Sequence, residues 1–167
     1  MIQDFKKGKF PTPMQLDATD RKILKLLQED ARIGIKTIAA RVNMTKTPVY
    51  ERIKRLEKAG VITKYVAVVD RKKVSPSMII FLSGALAVTA FEQIQEFYEA
   101  VEKIPEIMEC YLMGGENDFL LKVVVKDLDE YNTFYSQKLA TLPRVGHIRS
   151  SFVLNEVKHA TVLPFFE

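Results

Sequence analysis

The chain has 167 residues, of which 47% are apolar and 28% are charged, a composition typical of a soluble globular protein with one or two domains. Its single cysteine, Cys110, excludes an internal disulfide and a cysteine metal cluster. No apolar run reaches the roughly 20 residues that a membrane helix needs. The lysines near the N-terminus precede no apolar segment, so we expect no secretory signal and a cytoplasmic protein.

Charge divides the sequence into two halves. Residues 1–77 contain 18 Lys and Arg against 8 Asp and Glu, a net charge of +10. Residues 78–167 contain 7 against 13, a net charge of −6. This asymmetry indicates two domains with different partners. DNA attracts clustered Lys and Arg because neutralised phosphates release counterions, although a solvated basic surface would carry the same charge.

The N-terminal segment predicts an arm followed by a helix. Residues 1–15 contain two prolines and no helical period, so we expect a flexible arm. Its lysines at positions 6, 7 and 9 could reach a minor groove, although they show no pattern that favours it. Asp17, with Asp20 three residues later, predicts a helix start. Apolar residues at helical spacing continue to about Asp30.

Two further helices are predicted before residue 60. Apolar spacing over 35–42 predicts a short second helix, and Asn43 begins a turn. Thr45 is expected to cap a third helix that has Pro48 in its first turn and Gly60 as a left-handed stop. A short helix, a tight turn and a basic third helix predict a helix-turn-helix. Three-helix bundles that do not bind DNA show the same spacing.

The outward face of the third helix holds the candidate DNA contacts. The last helix of a helix-turn-helix enters the major groove, where its first residues reach base edges and later Lys and Arg reach phosphates. We therefore expect Lys46, Thr47 and Tyr50 to set sequence preference. The full candidate set is Lys46, Thr47, Tyr50, Glu51, Arg52, Lys54 and Arg55.

A β-rich stretch over 62–69 predicts a strand after the third helix, so the first domain is expected to span 16–69 as a winged helix-turn-helix. Residues 70–77 are expected to form a linker. Its basic residues 71–73 are either DNA contacts or part of a solvated hinge.

The acidic half shows strand and helix patterns in the order βαββαβ. The predicted strands cover 78–88, 107–113, 119–125 and 148–154, and the predicted helices run from Phe91 to a stop at Pro105 and from Leu128 to a stop at Pro143. This order predicts a ferredoxin-like domain over 78–163, and hence an α+β protein. One partly apolar sheet face has no cover in the sequence, which predicts dimerisation through the sheets.

Several motifs, found in order, give the chain a family resemblance. They are Leu16-Asp17-x-x-Asp20-x-x-Ile23-Leu24, Thr47-Pro48-Val49-x-x-Arg52-Ile53-x-Arg55-Leu56-Glu57-x-x-Gly60-Val61-Ile62, Glu109-Cys110-x-Leu112-x-Gly114-Gly115-x-x-Asp118-Phe119-Leu120-Leu121-Lys122, and Leu142-Pro143-x-Val145 with Val153-Leu154-x-Glu156-Val157-Lys158. Over about residues 16–163 the chain resembles the Lrp/AsnC, or feast/famine, transcription regulators. The resemblance implies a winged helix-turn-helix joined to a ferredoxin-like effector domain. It also implies dimers that assemble into octamers or larger rings, with small effectors, usually amino acids, bound between dimers.

The resemblance further implies effector contacts in the loop of residues 114–118, where Gly115 and Asp118 match the family pattern. A glycine loop can expose amides to a carboxylate, and an aspartate can pair with an ammonium group. Ser150 stands where the family often has Thr near the ligand. The candidate effector contacts are thus Gly115, Asn117, Asp118 and Ser150. A plain hairpin turn is the alternative for the loop.

Three functions compete at this point. The first is a cytoplasmic, nucleoid-associated transcription regulator that binds double-stranded DNA and responds to an amino acid. The second is a DNA-organising protein of the same fold without an effector. The third, an enzyme, is disfavoured, because His147 and His159 are the only histidines and no metal, nucleophile or phosphate-loop spacing is found. We therefore predict a non-enzymatic protein with no cofactor, metal or membrane partner.

Overall fold

The computed structural model describes residues 14–87 and 91–165. They form two compact units. The N-terminal unit comprises the described residues up to Val68 together with those from Lys158 onward, and the C-terminal unit spans Val69–Val157. The structure thus groups residues 158–163 with the first unit, whereas the sequence prediction grouped them with the second domain. The predicted arm lies outside the described residues up to position 13.

The described part of the N-terminal unit contains three helices: α1 (Ala18–Glu29), α2 (Ile35–Arg41) and α3 (Lys46–Lys58). The predicted start of α1 is a reciprocal capping box. Asp17 Oδ1 accepts a hydrogen bond from the Asp20 N–H at 2.7 Å, and Asp20 Oδ2 accepts one from the Asp17 N–H at 3.3 Å. These bonds satisfy amides that the first helical turn leaves without partners.

The core of this unit lies where the three helices meet. Ile23, Ile38 and Val49, one from each helix, are fully buried. Gly60 ends α3 with a φ of 70°, the left-handed conformation expected from the sequence. Thr45 occupies the N-cap position of α3, but its side chain makes no capping hydrogen bond, so the expected cap is absent.

The strand predicted over 62–69 is wrong for the described structure, where these residues form no strand. Val66, Val68 and Val69 are 59%, 66% and 63% exposed. A strand requires a neighbour that pairs with its N–H and C=O groups, and no other segment of the described chain pairs with this stretch. The high β-propensity of these residues is therefore not sufficient to form a strand.

The predicted linker contains a short helix, α4 (Arg71–Val74). Arg71 donates hydrogen bonds to the Ser77 carbonyl and, at 3.0 Å, to the Ser77 hydroxyl. It also lies 4.0 Å from the Glu156 carboxylate. Arg71, a candidate DNA contact or hinge residue, is therefore engaged within the C-terminal unit.

The C-terminal unit has the predicted order βαββαβ. Its elements are β1 (Met78–Leu86), α5 (Phe91–Glu102), β2 (Ile107–Leu112), β3 (Phe119–Val125), α6 (Leu128–Gln137) and β4 (Val145–Phe152). The strands form one antiparallel sheet in the order β2-β3-β1-β4, so the ferredoxin-like arrangement is confirmed. No helix of the described chain is long and apolar enough to cross a membrane.

Several element ends differ from the sequence prediction. The second helix of this unit stops at Gln137 instead of Leu142, and a 3-10 turn (Leu139–Thr141) follows it. Strand β4 spans 145–152 instead of 148–154. Strand β1 ends at Leu86, and the predicted last residue, Val88, lies outside the described residues.

The two sheet faces differ in composition. On the helix-facing side, Leu82, Phe119 and Leu121 are fully buried against Phe97 of α5 and Phe134 of α6. The opposite face carries half-buried apolar side chains beside charged ones: Phe81, Leu120, Lys122 and Val124. The predicted partly apolar second face is therefore present.

Candidate DNA-binding helix and effector loop

Helix α3, the recognition helix, packs against the core through a narrow apolar stripe formed by Val49, Ile53 and Leu56. Val49 and Leu56 are fully buried and Ile53 is 8% exposed. The spacing i, i+4, i+7 places the three on one helix face, so the other face is left outward.

The N-terminal half of the recognition helix presents four of the predicted DNA contacts to solvent. Lys46, Thr47 and Glu51 are exposed, and Tyr50 is 49% exposed. These residue types can donate to, accept from or stack on nucleic acid groups. The predicted base-reading side chains therefore share one accessible surface.

Lys54 lies one turn after Tyr50 and is held by two neighbours. Its ammonium is 2.7 Å from Glu57 Oε2 and 5.7 Å from the centre of the Tyr50 ring. The Tyr65 hydroxyl donates to the other Glu57 oxygen at 2.9 Å. The hydrogen bond with Glu57 raises the pKa of Lys54. This arrangement fixes a cation beside the exposed tyrosine.

The two predicted DNA-contacting arginines are held by carboxylates of α1. Arg52 Nη1 lies 2.6 Å from Asp17 Oδ2 and 2.8 Å from Asp20 Oδ1. Arg55 Nη2 lies 2.5 Å from Asp20 Oδ2. We call these four residues the acid–arginine cluster. The hydrogen bonds that Arg52 donates, first to Asp17 and then to Asp20, raise the pKa of Arg52.

The sequence did not predict this cluster, because each charged residue was interpreted only together with its neighbours on the same helix. The partners are 32 to 35 residues apart. A signal was present: Asp17 and Asp20 are spaced i, i+3 at the start of the first predicted helix, and Arg52 and Arg55 are spaced i, i+3 on the third.

Residues 114–118, the effector loop, join β2 to β3 and are anchored by Asp118. Its carboxylate Oδ2 accepts the Leu86 N–H at 2.8 Å, where the pairing of β1 with β4 shifts register. Its own N–H donates to the Gly84 carbonyl at 2.8 Å, and its carbonyl accepts the Met113 N–H at 2.9 Å. Asp118 therefore ties the loop to the end of β1.

The glycines of the loop leave the space around it open. Gly115 has a φ of 142°, which L side chains rarely adopt. A Cβ built on Gly114 or Gly115 would meet no atom within 4 Å. Asn117, the third loop candidate, is half-buried. The loop backbone is accessible to a small molecule.

Ser150 is not brought together with the loop. It pairs with Leu82 across the sheet, and its hydroxyl lies 2.6 Å from the Tyr131 hydroxyl. Leu86, which Asp118 contacts, is four residues further along β1, about 13 Å at the rise of a strand. Within the described residues, no group of three or more His, Cys, Asp or Glu side chains is placed to hold a metal ion.

Both units match known protein families. The winged helix-turn-helix DNA-binding family matches residues 16–63, and the Lrp/AsnC ligand binding domain family matches residues 86–163. The leucine-responsive regulatory protein of Escherichia coli K12 is 37% identical over 148 residues, which cover 89% of this chain and 90% of that protein.

Two solved structures are similar over almost their whole length. The AsnC family transcriptional regulator from Agrobacterium tumefaciens has 37% identity and a TM-score of 0.83, covering 89% of this chain and 97% of that one. A Neisseria meningitidis transcriptional regulator, solved in complex with L-Met, has 34% identity and a TM-score of 0.83, covering 90% and 97%. The predicted family and fold class are confirmed, and so is the prediction of a non-enzymatic regulator. The chain belongs to the Lrp/AsnC family of DNA-binding transcription regulators.

Proposed function

We propose that this regulator binds double-stranded DNA as a homodimer, with the recognition helix of each copy in a major groove. One observation carries the proposal: the buried stripe of α3 leaves Lys46, Thr47 and Tyr50 together on its exposed N-terminal half. That half is the part of a helix-turn-helix that meets base edges.

The candidate contacts divide by chemistry. Lys46 and Thr47 offer donors to base edges, and Tyr50 offers a ring and a hydroxyl. Glu51 can accept from a cytosine amino group. Lys54 lies one turn later and is exposed, so we expect it to approach a phosphate. We expect residues 16–69 to carry this binding and 78–163 to carry the effector response.

Two experiments test the DNA proposal. Footprinting of the full-length protein should show a two-fold related site, with half-sites about 34 Å apart or a multiple of that spacing. Affinity should fall steeply as salt rises, because phosphate contacts release counterions. Binding that is independent of ionic strength would contradict the electrostatic part of the proposal.

We propose further that an amino acid binds at the effector loop and changes DNA affinity or assembly. The Leu86 amide occupies Asp118 Oδ2, which leaves Oδ1 for an α-ammonium group. The open backbone at Gly114 and Gly115 can meet the α-carboxylate. The L-Met complex of the Neisseria relative supports this class of ligand.

Calorimetry with the common amino acids at millimolar concentration tests the effector. Asp118→Asn is the diagnostic variant, because its amide oxygen can still accept the Leu86 N–H while the charge is lost. It should abolish ligand binding and leave DNA binding intact. Glu116→Gln, in the same loop and exposed, is the matched control and should bind ligand like the wild type.

A DNA-organising protein without an effector is the second candidate. The observation in its favour is that the Asp118 carboxylate already has a structural task at Leu86. If no common amino acid gives heat with the wild-type protein at several temperatures, Asp118 is only a loop anchor and this second function takes first place.

The dimer is proposed to form through the partly apolar sheet face, and the dimers are proposed to assemble into octamers or larger rings. Half-buried Phe81, Leu120 and Val124 on that face support an interface. Light scattering of the full-length protein should give a multiple of 19.1 kDa. A stable monomer at high concentration would contradict both interface and ring. As a DNA-binding regulator, the protein is proposed to act in the cytoplasm, at the nucleoid.

A further inference from the structure

We propose that Arg52 and Arg55 are positioning residues that lock the recognition helix to α1 through Asp17 and Asp20, and that they do not contact phosphate. The inference deepens the proposed DNA-binding function, on which its DNA measurements rest. It assigns a shared role to the four residues of the acid–arginine cluster.

Burial of Asp20 is the first step of the argument. Its side chain is 1% exposed, and a carboxylate removed from water needs strong compensation. Arg52 reaches Oδ1 at 2.8 Å and Arg55 reaches Oδ2 at 2.5 Å, so both oxygens are bound by guanidinium groups. Withdrawal of either arginine to a phosphate would leave an under-compensated buried charge.

Asp17 connects the acid–arginine cluster to the start of α1; we call the resulting link between α1 and α3 the clamp. Arg52 Nη1 bridges Asp17 Oδ2 at 2.6 Å and Asp20, while Asp17 Oδ1 caps α1 through the Asp20 N–H. The N-terminal end of α1 and the middle of α3 are therefore tied by a network of charge-assisted bonds. The two acids also balance the two guanidinium charges, so the cluster adds no net charge toward DNA.

The acid–arginine cluster affects function by fixing the position of the recognition helix. Arg52 lies two residues after Tyr50 on α3, so the clamp fixes the rotation and depth of the helix that carries the base-reading side chains. A binding constellation requires its side chains to be held within about 0.5 Å of the productive geometry. Loss of the clamp should weaken sequence-specific binding although no DNA contact is removed.

The two possible roles predict opposite changes in DNA affinity when one negative charge of the cluster is removed. If the cluster acts only as electrostatics, Asp17→Asn makes the protein more positive and should tighten DNA binding. If it acts as a clamp, the same change should weaken binding. Asn caps a helix about as well as Asp, so the start of α1 is preserved. Glu29→Gln, an exposed acid at the end of the same helix, is the matched control.

The experiment measures affinity of the full-length protein for a selected duplex over a salt series, and thermal unfolding without DNA. We expect Asp17→Asn to bind several-fold more weakly and Glu29→Gln to bind equally or more tightly. Arg52→Gln should weaken binding with an unchanged salt slope. Without DNA, the melting-temperature decreases of Asp17→Asn and Arg52→Gln should be non-additive in the double variant.

The opposite results overturn the proposal. A salt slope that falls by about 0.9 in Arg52→Gln would identify a phosphate contact. Equal DNA affinities of Asp17→Asn and Glu29→Gln, or additive melting shifts, would also reject the clamp. Asp17 and Arg52 are 51% and 26% exposed, so their variants should fold even where an Asp20 variant does not. The DNA-free measurement separates failure of the clamp from failure of the proposed DNA function.

Discussion

The recognition helix and the effector loop are both accessible, but they are anchored in different ways. The helix is fixed by a buried stripe around Val49 and Leu56 and by the acid–arginine cluster. The loop is anchored by the hydrogen bonds of Asp118 and has open space around Gly114 and Gly115. A surface that reads DNA must be held rigid, whereas a loop that admits a ligand needs free backbone. The difference therefore matches the two proposed roles, and the following changes test it.

The largest effect should follow truncation of the stripe beneath the recognition helix. Leu56 is fully buried, so Leu56→Ala should cost about 2–5 kcal/mol of stability in the N-terminal unit and abolish DNA binding. Hydrogen exchange should show faster exchange in α1 to α3. Val66→Ala, at a site 59% exposed, should change little. Equal protection in both variants would show that the stripe does not hold the helix.

A comparable test on the effector side uses Gly84, whose carbonyl binds the Asp118 amide. An added Cβ would lie 2.0 Å from the His147 carbonyl oxygen, so β1 and β4 must separate. Gly84→Ala should destabilise the C-terminal unit by about 1–3 kcal/mol in urea unfolding. Gly114→Ala, with no atom within 4 Å of the new carbon, should leave stability nearly unchanged. Similar losses in both would contradict the difference in packing.

Acid should weaken the anchoring of the recognition helix. The Asp20 N–H, and next Arg52, lower the pKa of Asp17 below its model-compound value of 3.8. A lowered folded-state pKa gives stability that is present above the unfolded-state pKa and is lost as pH falls through the folded-state value. The N-terminal unit should therefore lose stability as pH falls below about 4, the ordinary aspartate pKa, and through the lower pKa at which the folded-state carboxylate is protonated. Thermal melts should show that Asp17→Asn loses less stability than the wild type as pH falls. A pH profile identical to that of the wild type would contradict the pairing of Asp17 with Arg52.

The smallest effect concerns the C-terminal segment, to which Gln28 of α1 is hydrogen-bonded. Gln28 Oε1 accepts the Leu163 N–H at 2.7 Å, and Nε2 donates to the Leu163 carbonyl at 3.5 Å. Gln28→Ala should cost less than about 1 kcal/mol, because these bonds are exposed to water. Limited proteolysis should cut the segment faster than in Lys25→Ala, an exposed change on the same helix. Equal cleavage would mean that the contact does not order the segment.

Local features were predictable because their partners lie within a few residues. The capping box of Asp17 and Asp20 is an i, i+3 interaction, and the left-handed turn at Gly60 follows from its missing side chain. The element order βαββαβ of the C-terminal unit followed from the strand and helix patterns of its sequence.

Long-range pairing was not predictable. Arg52 finds its carboxylates 32 and 35 residues earlier, and Asp118 finds the Leu86 amide 32 residues earlier. The i, i+3 spacing of Asp17 with Asp20 and of Arg52 with Arg55 places each pair on one helix face, but it does not specify which faces meet. The stretch 62–69 shows the opposite error, because its strong β-propensity predicted a strand that has no pairing partner within the described chain.

The central claim is that the exposed half of the recognition helix reads DNA sequence. The most direct test is Tyr50→Ala, measured on a duplex selected from a random pool and on random duplex, with Tyr135→Ala as control, a 43% exposed tyrosine of the C-terminal unit. The account predicts a loss of about 1–3 kcal/mol on the selected duplex, a smaller loss on random DNA and no change in the control. Equal losses of the Tyr50 variant on both duplexes would contradict it.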